Sequence, residues 1–273
     1  MNMNIQDKYF ELLKREILKD TSLDFNHFKN NYLKRRLGVR MRVKGVETYD
    51  KYLRLLFSGP SEYDFLLKDI TINVTEFFRD PEVFHIIWEE ILPLLIYKKV
   101  RQNRRVIRLW SAGCSSGEEP YSLAILLRDL LAEKFDNFVV SIYGTDIDDA
   151  SLTTAKVGRY LPRQVDNVEL ELLLRYFINK GEKYEIKNEI KEMVKFKKLD
   201  LFSGTHPGHF DMIFCRNVLI YFNKEMQEKL FLRFYDALND DGYLIIGKTE
   251  GIFGTVRNKF EIINSRERIY QKI

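Results

Sequence analysis

The chain has 273 residues, enough for one large domain or a large and a small one, and its 45% hydrophobic content can fill packed cores. Its apolar runs, such as Ile86 to Trp88 and Ile91 to Tyr97, are broken by charge or proline and fall short of the ~20 residues that span a bilayer, so no membrane span is expected. A formal net charge of +4 is too mild to name a partner, and its distribution matters more than its total.

The N-terminal run MNMNIQDKYFELLKRE alternates polar and apolar residues as an amphipathic helix does and lacks a signal peptide's apolar core, so a cytoplasmic location is expected. From Ile5 to about Ile70 apolar residues recur at helical spacing, with Tyr9, Leu12, Leu13 and Ile17 in one segment and Tyr49, Tyr52, Leu53 and Leu56 in another. This predicts a small all-helical domain over residues 1–72. Within it six basic residues, Lys34, Arg35, Arg36, Arg40, Arg42 and Lys44, crowd one helix and its exit. They read either as a solvated face or as a docking face.

Residues 73–104 read as a linker into a second domain that runs to residue 273. From Arg105 the pattern changes to short β-rich runs separated by helical segments: Val106 to Trp110, Val139 to Tyr143, Val194 to Leu199, Phe210 to Cys215 and Tyr243 to Ile246. Phe260 to Ile263 and Arg268 to Tyr270 suit a terminal antiparallel pair. The fold class is therefore α/β, with a mostly parallel, seven-stranded Rossmann-like sheet and crossover helices. The stretch before Val194 is longer than one crossover helix requires and predicts a small β insertion at about residues 180–197. Cys114 and Cys215 have neither metal-pair spacing nor a disulfide framework and read as small buried thiols, and no metal is expected.

The first strand runs into Ser111-Ala112-Gly113-Cys114-Ser115-Ser116-Gly117-Glu118-Glu119-Pro120-Tyr121-Ser122 and then into a helix. In doubly wound sheets the crevice at the carboxyl ends of the strands binds ligand, and glycines there allow close backbone approach. The spacing departs from the dinucleotide fingerprint, and two carboxylates stand where a pyrophosphate would be repelled, which argues against a nicotinamide oxidoreductase. Glu118 or Glu119 would suit a cation, such as the amino and sulfonium groups of S-adenosylmethionine. The second strand ends in Gly144-Thr145-Asp146-Ile147-Asp148. Asp146 reads either as an acceptor for ribose hydroxyls or as a helix N-cap.

Two more segments complete the pattern: Thr71-Ile72-Asn73-Val74-Thr75-Glu76-Phe77-Phe78-Arg79-Asp80, and Phe210-Asp211-Met212-Ile213-Phe214-Cys215-Arg216-Asn217-Val218-Leu219-Ile220-Tyr221-Phe222. With the glycine loop and the Gly-Thr-Asp-Ile-Asp run, these four motifs closely resemble the CheR-type chemotaxis receptor methyltransferases, in order and over nearly the whole chain. The resemblance implies transfer of a methyl group from S-adenosylmethionine to glutamate carboxylates, with S-adenosylhomocysteine as product. It implies that Asn73, Thr75 and Arg79 reach the cofactor, Glu119 holds its methionine end, Asp146 takes the ribose, Asp200 and Leu201 flank the adenine, and Arg216 with Asn217 closes the pocket. Asp200 stands where relatives commonly have asparagine, and Gly247-Lys248-Thr249-Glu250 where they often have Gly-His-Ser-Glu.

A glutamate acceptor is ionised at pH 7 and needs no general base, so placement is the main task, assigned to Tyr221 as a hydroxyl donor and Arg79 as a positioning cation. The resemblance gives the basic face a meaning: Arg35, Arg36, Arg40 and Arg42 would contact the glutamate-rich cytoplasmic helical bundle of a chemoreceptor. A monomer recruited to membrane-bound receptors is expected, with no membrane insertion and no nucleic-acid partner. The short Asn179-Lys180-Gly181-Glu182-Lys183 loop predicts action independent of a receptor tether peptide. The rival readings are a nucleic-acid methyltransferase, which would need a base-handling motif where this chain has Cys-Arg-Asn-Val-Leu-Ile-Tyr, and a noncatalytic module that senses S-adenosylmethionine.

Overall fold

The computed structural model describes residues 4–21, 23–59, 61–71, 74–203, 205 and 208–273. Its internal contacts divide the chain into two units, Met1–Ile72 with Ile220–Gln227, and Asn73–Leu219 with Glu228–Ile273.

The first unit is built on four helices, α1 (Ile5–Thr21), α2 (Asn30–Val43), α3 (Tyr49–Ser58) and α4 (Ser61–Ile70). Each turns a pair of residues four apart to the interior: Leu13 and Ile17, Leu33 and Leu37, Tyr52 and Leu56, Leu66 and Ile70, all buried. Residues four apart share one helix face, so the spacing itself creates the core. The segment 220–227 joins this unit through backbone bonds from Lys29 N to the Tyr221 carbonyl at 2.9 Å and from Asn223 N to the His27 carbonyl at 3.0 Å.

The second unit opens with α5 (Pro81–Ile86), a π turn over Ile87–Ile91 and α6 (Leu92–Arg101). The wide turn falls just before Pro93, whose missing N–H disturbs the helical ladder. The expected linker over 73–104 is thus largely helix, and Val83, Phe84, Ile87, Ile91 and Leu95 enter the unit's hydrophobic core. There follow β1 (Val106–Ala112), α7 (Glu118–Leu131), β2 (Val139–Asp146), α8 (Asp149–Val157), β3 (Arg159–Tyr160), α9 (Leu170–Tyr176), β4 (Phe177–Asn179), β5 (Tyr184–Ile186), α10 (Asn188–Lys191), β6 (Val194–Lys198), β7 (Phe210–Cys215), α11 (Lys224–Ala237), β8 (Leu238–Ile246), β9 (Phe260–Asn264) and β10 (Ile269–Lys272).

The main sheet has seven strands in the order β6-β2-β1-β7-β8-β10-β9. The first five are mutually parallel, and β10 runs antiparallel to both β8 and β9. Every residue of β7 is buried, as a central parallel strand covered on both faces requires. Its one acid, Asp211, is held by Lys99 Nζ at 2.6 Å and by the backbone N–H of Arg108 at 3.0 Å. The winding reverses between β1 and β7, which opens a crevice at their carboxyl ends.

The β insertion is a three-stranded sheet in the order β3-β5-β4, and it lies earlier than expected. It begins at Arg159 and ends at Ile186, whereas Val194–Lys198 pairs in parallel with β2 as an edge strand of the main sheet. Val194–Lys198 is thus one of the strands expected for the main sheet, and it is the bounds of the insertion, drawn to overlap it, that are displaced: a run that buries few of its side chains does not mark by itself where one sheet stops and the next begins.

Candidate active site

The crevice collects residues from six separate stretches of the second unit. The glycine loop between β1 and α7 contributes Ser115 and Glu119. Gly117 there has φ +93°, and a Cβ on it would lie 2.8 Å from the Ala155 Cβ and 3.0 Å from the Phe196 ring. On Gly113, at φ +81°, a Cβ would lie 2.5 Å from Val218 Cγ2. These glycines are therefore required first by packing within the chain, and only through that packing by a ligand.

Glu118 and Glu119, which the sequence could not tell apart, diverge. Glu119 faces the crevice: Ser111 Oγ donates to its Oε1 at 2.7 Å, and Arg216 Nη1 stands 3.5 Å from its Oε2. Burial pushes its carboxyl above the usual range, and Arg216 and Ser111 pull it partly back. Glu118, fully buried, turns the other way and accepts from Ser116 Oγ at 2.8 Å and from Gln164 Nε2 at 2.5 Å. Its carboxyl is raised to about 7 by desolvation.

Asp146 ends β2 next to this loop. Its Oδ2 accepts the Ser115 N–H at 2.8 Å and its Oδ1 the Asp148 N–H at 3.0 Å. The N-cap of α8 is Asp148, which accepts from Ala150 N, so the capping alternative for Asp146 is removed. Burial raises the Asp146 carboxyl, while the N–H groups of Asp148 and Ser115 oppose the rise.

Arg216 follows β7 and acts as a bolt. Its Nη2 meets Asp80 Oδ2 at 2.6 Å and the Arg79 carbonyl at 2.9 Å, and its guanidinium lies over the Phe84 ring at 5.5 Å. It ties Glu119 to the segment carrying Arg79. Arg79 Nη1 itself donates to the Val74 carbonyl at 2.9 Å, and Thr75 in the same segment is half-buried. Asn73 lies outside the described residues.

Asn217 adopts φ +60° and its N–H donates to Glu250 Oε2 at 3.3 Å, which also accepts the Gly247 N–H at 2.6 Å. Phe78, Asp80 and Ser115 share the left-handed region with it. Such backbones cost roughly 1–2 kcal/mol each, and their clustering around one crevice marks it as functional. Asp200 and Leu201 follow β6 at the same edge, where the Leu199 N–H bonds the Asp146 carbonyl at 2.9 Å. The Asp200 carboxylate is engaged in its own turn, by the Phe202 N–H at 3.0 Å and Ser203 Oγ at 2.7 Å. Lys248 pairs with Glu267 at 3.2 Å.

In the first unit, the Tyr221 ring packs on Tyr32 at 4.8 Å. Arg35 and Arg36 lie over the Tyr32 ring at 5.8 and 5.7 Å, and Arg42 is exposed. Arg40 is a correction to the expected docking set. It is buried, with Nε and Nη2 on Glu62 at 2.5 and 2.8 Å, and Lys44 reaches the same carboxylate at 2.9 Å. A cation committed to a buried carboxylate cannot serve a partner.

Asp80, Ser111, Ser115 and Glu250 were not singled out from the sequence, although each lies within or beside a motif quoted from it. Whether the crevice fits a nucleoside cofactor is answered by its donor set. The half-buried Glu119 and the buried Asp146 carboxylate, each with acceptor capacity to spare, and a buried Ser115 hydroxyl with no bond partner among the described residues, suit a ligand rich in amino and hydroxyl groups. Among the described residues, no group of three or more His, Cys, Asp or Glu could hold a metal ion, and no helix is long and apolar enough to cross a membrane.

A parallel sheet ending in an antiparallel hairpin, with acids at the carboxyl ends of β1 and β2, defines the class: a Rossmann-like methyltransferase domain carrying a helical companion. The comparisons agree with that class. The CheR methyltransferase SAM-binding domain matches residues 73–269, and the CheR all-alpha domain matches residues 8–71. The chemotaxis protein methyltransferase of Borreliella burgdorferi is 34% identical over 259 residues, covering 93% of this chain and 92% of that one. That of Escherichia coli is 32% identical over 266 residues, covering 94% and 89%. The chain belongs to the CheR methyltransferase family and is an S-adenosylmethionine-dependent methyltransferase of chemotaxis.

Proposed function

We propose that the methyl acceptor is the side-chain carboxylate of glutamates in the cytoplasmic helical bundle of chemoreceptors. The observation that carries this reading is that the likeness to chemotaxis protein methyltransferases extends over the helical and the cofactor-binding parts of the chain alike. When bound, S-adenosylmethionine supplies a methyl group already activated by its sulfonium.

The acceptor is ionised at neutral pH, so no residue of this chain has to remove a proton. The chain's residues bind and orient. Glu119 attracts the cofactor's amino group, Asp146 accepts ribose hydroxyls, and Arg216 fixes Glu119 and the segment bearing Arg79. Thr75, Asp200, Leu201 and Asn217, with Asn73, line the remainder of the cofactor site in this reading. Tyr221 donates to the acceptor carboxylate and Arg79 positions it, holding it without neutralising it tightly. Arg35, Arg36 and Arg42 steer the acidic bundle, and the chain works as a monomer recruited to membrane-bound receptors without a tether peptide.

The test is titration with S-adenosylhomocysteine, followed by tritiated methyl transfer to receptor-containing membranes and to RNA. Base-labile label on the receptor alone is expected, because methyl esters hydrolyse in base. Label on RNA, or binding without transfer to receptor, would overturn the assignment of the acceptor.

A further inference from the structure

Glu118 has no place in the chemistry above, yet it is fully buried with both oxygens engaged. One of its partners is Ser116 of the glycine loop, and the other lies in the β insertion. Gln164, on the turn Pro162–Gln164, donates to Glu118 Oε1 at 2.5 Å and accepts the Leu161 N–H on its own Oε1 at 2.9 Å. The Gln164 backbone carbonyl accepts the Phe77 N–H at 2.8 Å. The Phe77 ring is set edge-on to Tyr160 at 4.8 Å and to Phe177 at 5.1 Å, both in the insertion. Tyr160 OH in turn donates to the Ser116 carbonyl at 2.8 Å. Ser116 is thus gripped from two sides, by Glu118 at its hydroxyl and by Tyr160 at its carbonyl.

We propose that Glu118 and Gln164 are positioning residues through which the β insertion sets the geometry of both cofactor-facing segments, the glycine loop and residues 75–79. Ser116 adjoins Ser115, whose N–H orients Asp146, and Phe77 stands two residues before Arg79. Gln164 joins these two arms, its side chain holding the glycine loop and its carbonyl the Phe77 segment. A buried carboxylate raised to about 7, with no cation among the groups that shift it, is costly to keep, which argues for a role beyond packing. The proposal rests on the cofactor assignment.

A double-mutant cycle of Glu118→Gln and Gln164→Glu in the full chain tests it, read as the Kd for S-adenosylhomocysteine and, in parallel, as the thermal midpoint. Gln164→Glu alone sets carboxyl against carboxyl and is expected to weaken binding about tenfold or more, the scale of one charge-assisted hydrogen bond. The double variant exchanges donor and acceptor between the two positions: the carboxylate now at position 164 accepts from the Leu161 N–H and from the amide now at position 118. It is expected to return the Kd to within about threefold of the parent, a difference of well under one charge-assisted hydrogen bond. Should Gln164→Glu not fold, Gln164→Ala takes its place, with the exchanged pair still the rescue. Additive effects on Kd, or coupling seen in the midpoint but not in the Kd, would overturn the proposal. Failure of the parent chain to bind would overturn the cofactor assignment and the proposal with it.

Discussion

At Glu119, burial and the Arg216 guanidinium oppose each other, and the carboxyl sits above the usual carboxylate range. A ligand ammonium there favours the charged form and pulls the carboxyl down, so binding releases protons and affinity rises with pH through the window above the usual carboxylate range. Titrations with S-adenosylhomocysteine in buffers of different ionisation enthalpy should report net proton release in that window. Net uptake would contradict the placement of the ammonium at Glu119. Glu119→Gln keeps the shape and removes the charge; a charge-assisted bond is worth about 1.5–3 kcal/mol, so affinity should fall roughly 10–100-fold. The glycine-loop motif by itself offered Glu118 and Glu119 alike as partners for a cation. Their divergence follows from successive positions on the first turn of α7, which point ~100° apart.

Among the elements, α2 shows how a basic run divides between structure and surface. Burial works to raise the Glu62 carboxyl, but hydrogen bonds from Arg40, Lys44 and Tyr52 bring it down to about 2. Arg40→Ala leaves that charge buried with less support and should cost about 3–5 kcal/mol, whereas Arg42→Ala, on the exposed side, should stay within roughly 0.5 kcal/mol. Urea unfolding followed by circular dichroism separates the two. Loss of methylation in an Arg40 variant would therefore report unfolding of the helical unit, and only the Arg35, Arg36 and Arg42 variants report docking. In the glycine loop, Gly117→Ala meets both a left-handed backbone and the Phe196 ring. It should destabilise the second unit by about 2–4 kcal/mol, the combined scale of overpacking and left-handed strain, as its thermal midpoint would show.

The whole molecule carries opposed pH responses in its two units. Glu62, depressed from 4.5 to about 2, gives the helical unit stability that is present above the ordinary carboxylate range and lost as pH falls toward 2. Glu118, raised from 4.5 to about 7, does the reverse: its contribution is present below 4.5 and lost as pH rises through 7, a difference of about 3 kcal/mol. Glu119 and Asp146 act in the same direction as Glu118. Both tryptophans, Trp88 and Trp110, lie in the second unit, so fluorescence melts report that unit alone. The ligand-free midpoint should fall between about pH 5 and pH 7.5 as these carboxyls ionise, and Glu118→Gln should flatten part of that fall. A midpoint that rises over this range would contradict the burial of these acids.

Local signals carried much of this protein into view. Residues four apart named the helices, short β-rich runs named the seven strands, and four motifs in order named the family, because each depends only on neighbours in the chain or on residue types the chemistry requires. The β insertion shows the limit: a run such as Tyr184–Ile186 specifies extended backbone, while its pairing with Arg159–Tyr160 decides where the small sheet begins. Arg40 looked like its basic neighbours until α4 brought Glu62 against it. Asp80 and Glu250 serve the crevice only because Arg216 and Asn217 return beside them from far along the chain. A residue's own chemistry is written in its type; what it is paired with when water is removed is written only in the packing, and that pairing decided which acids face the crevice and which cations remain for a partner.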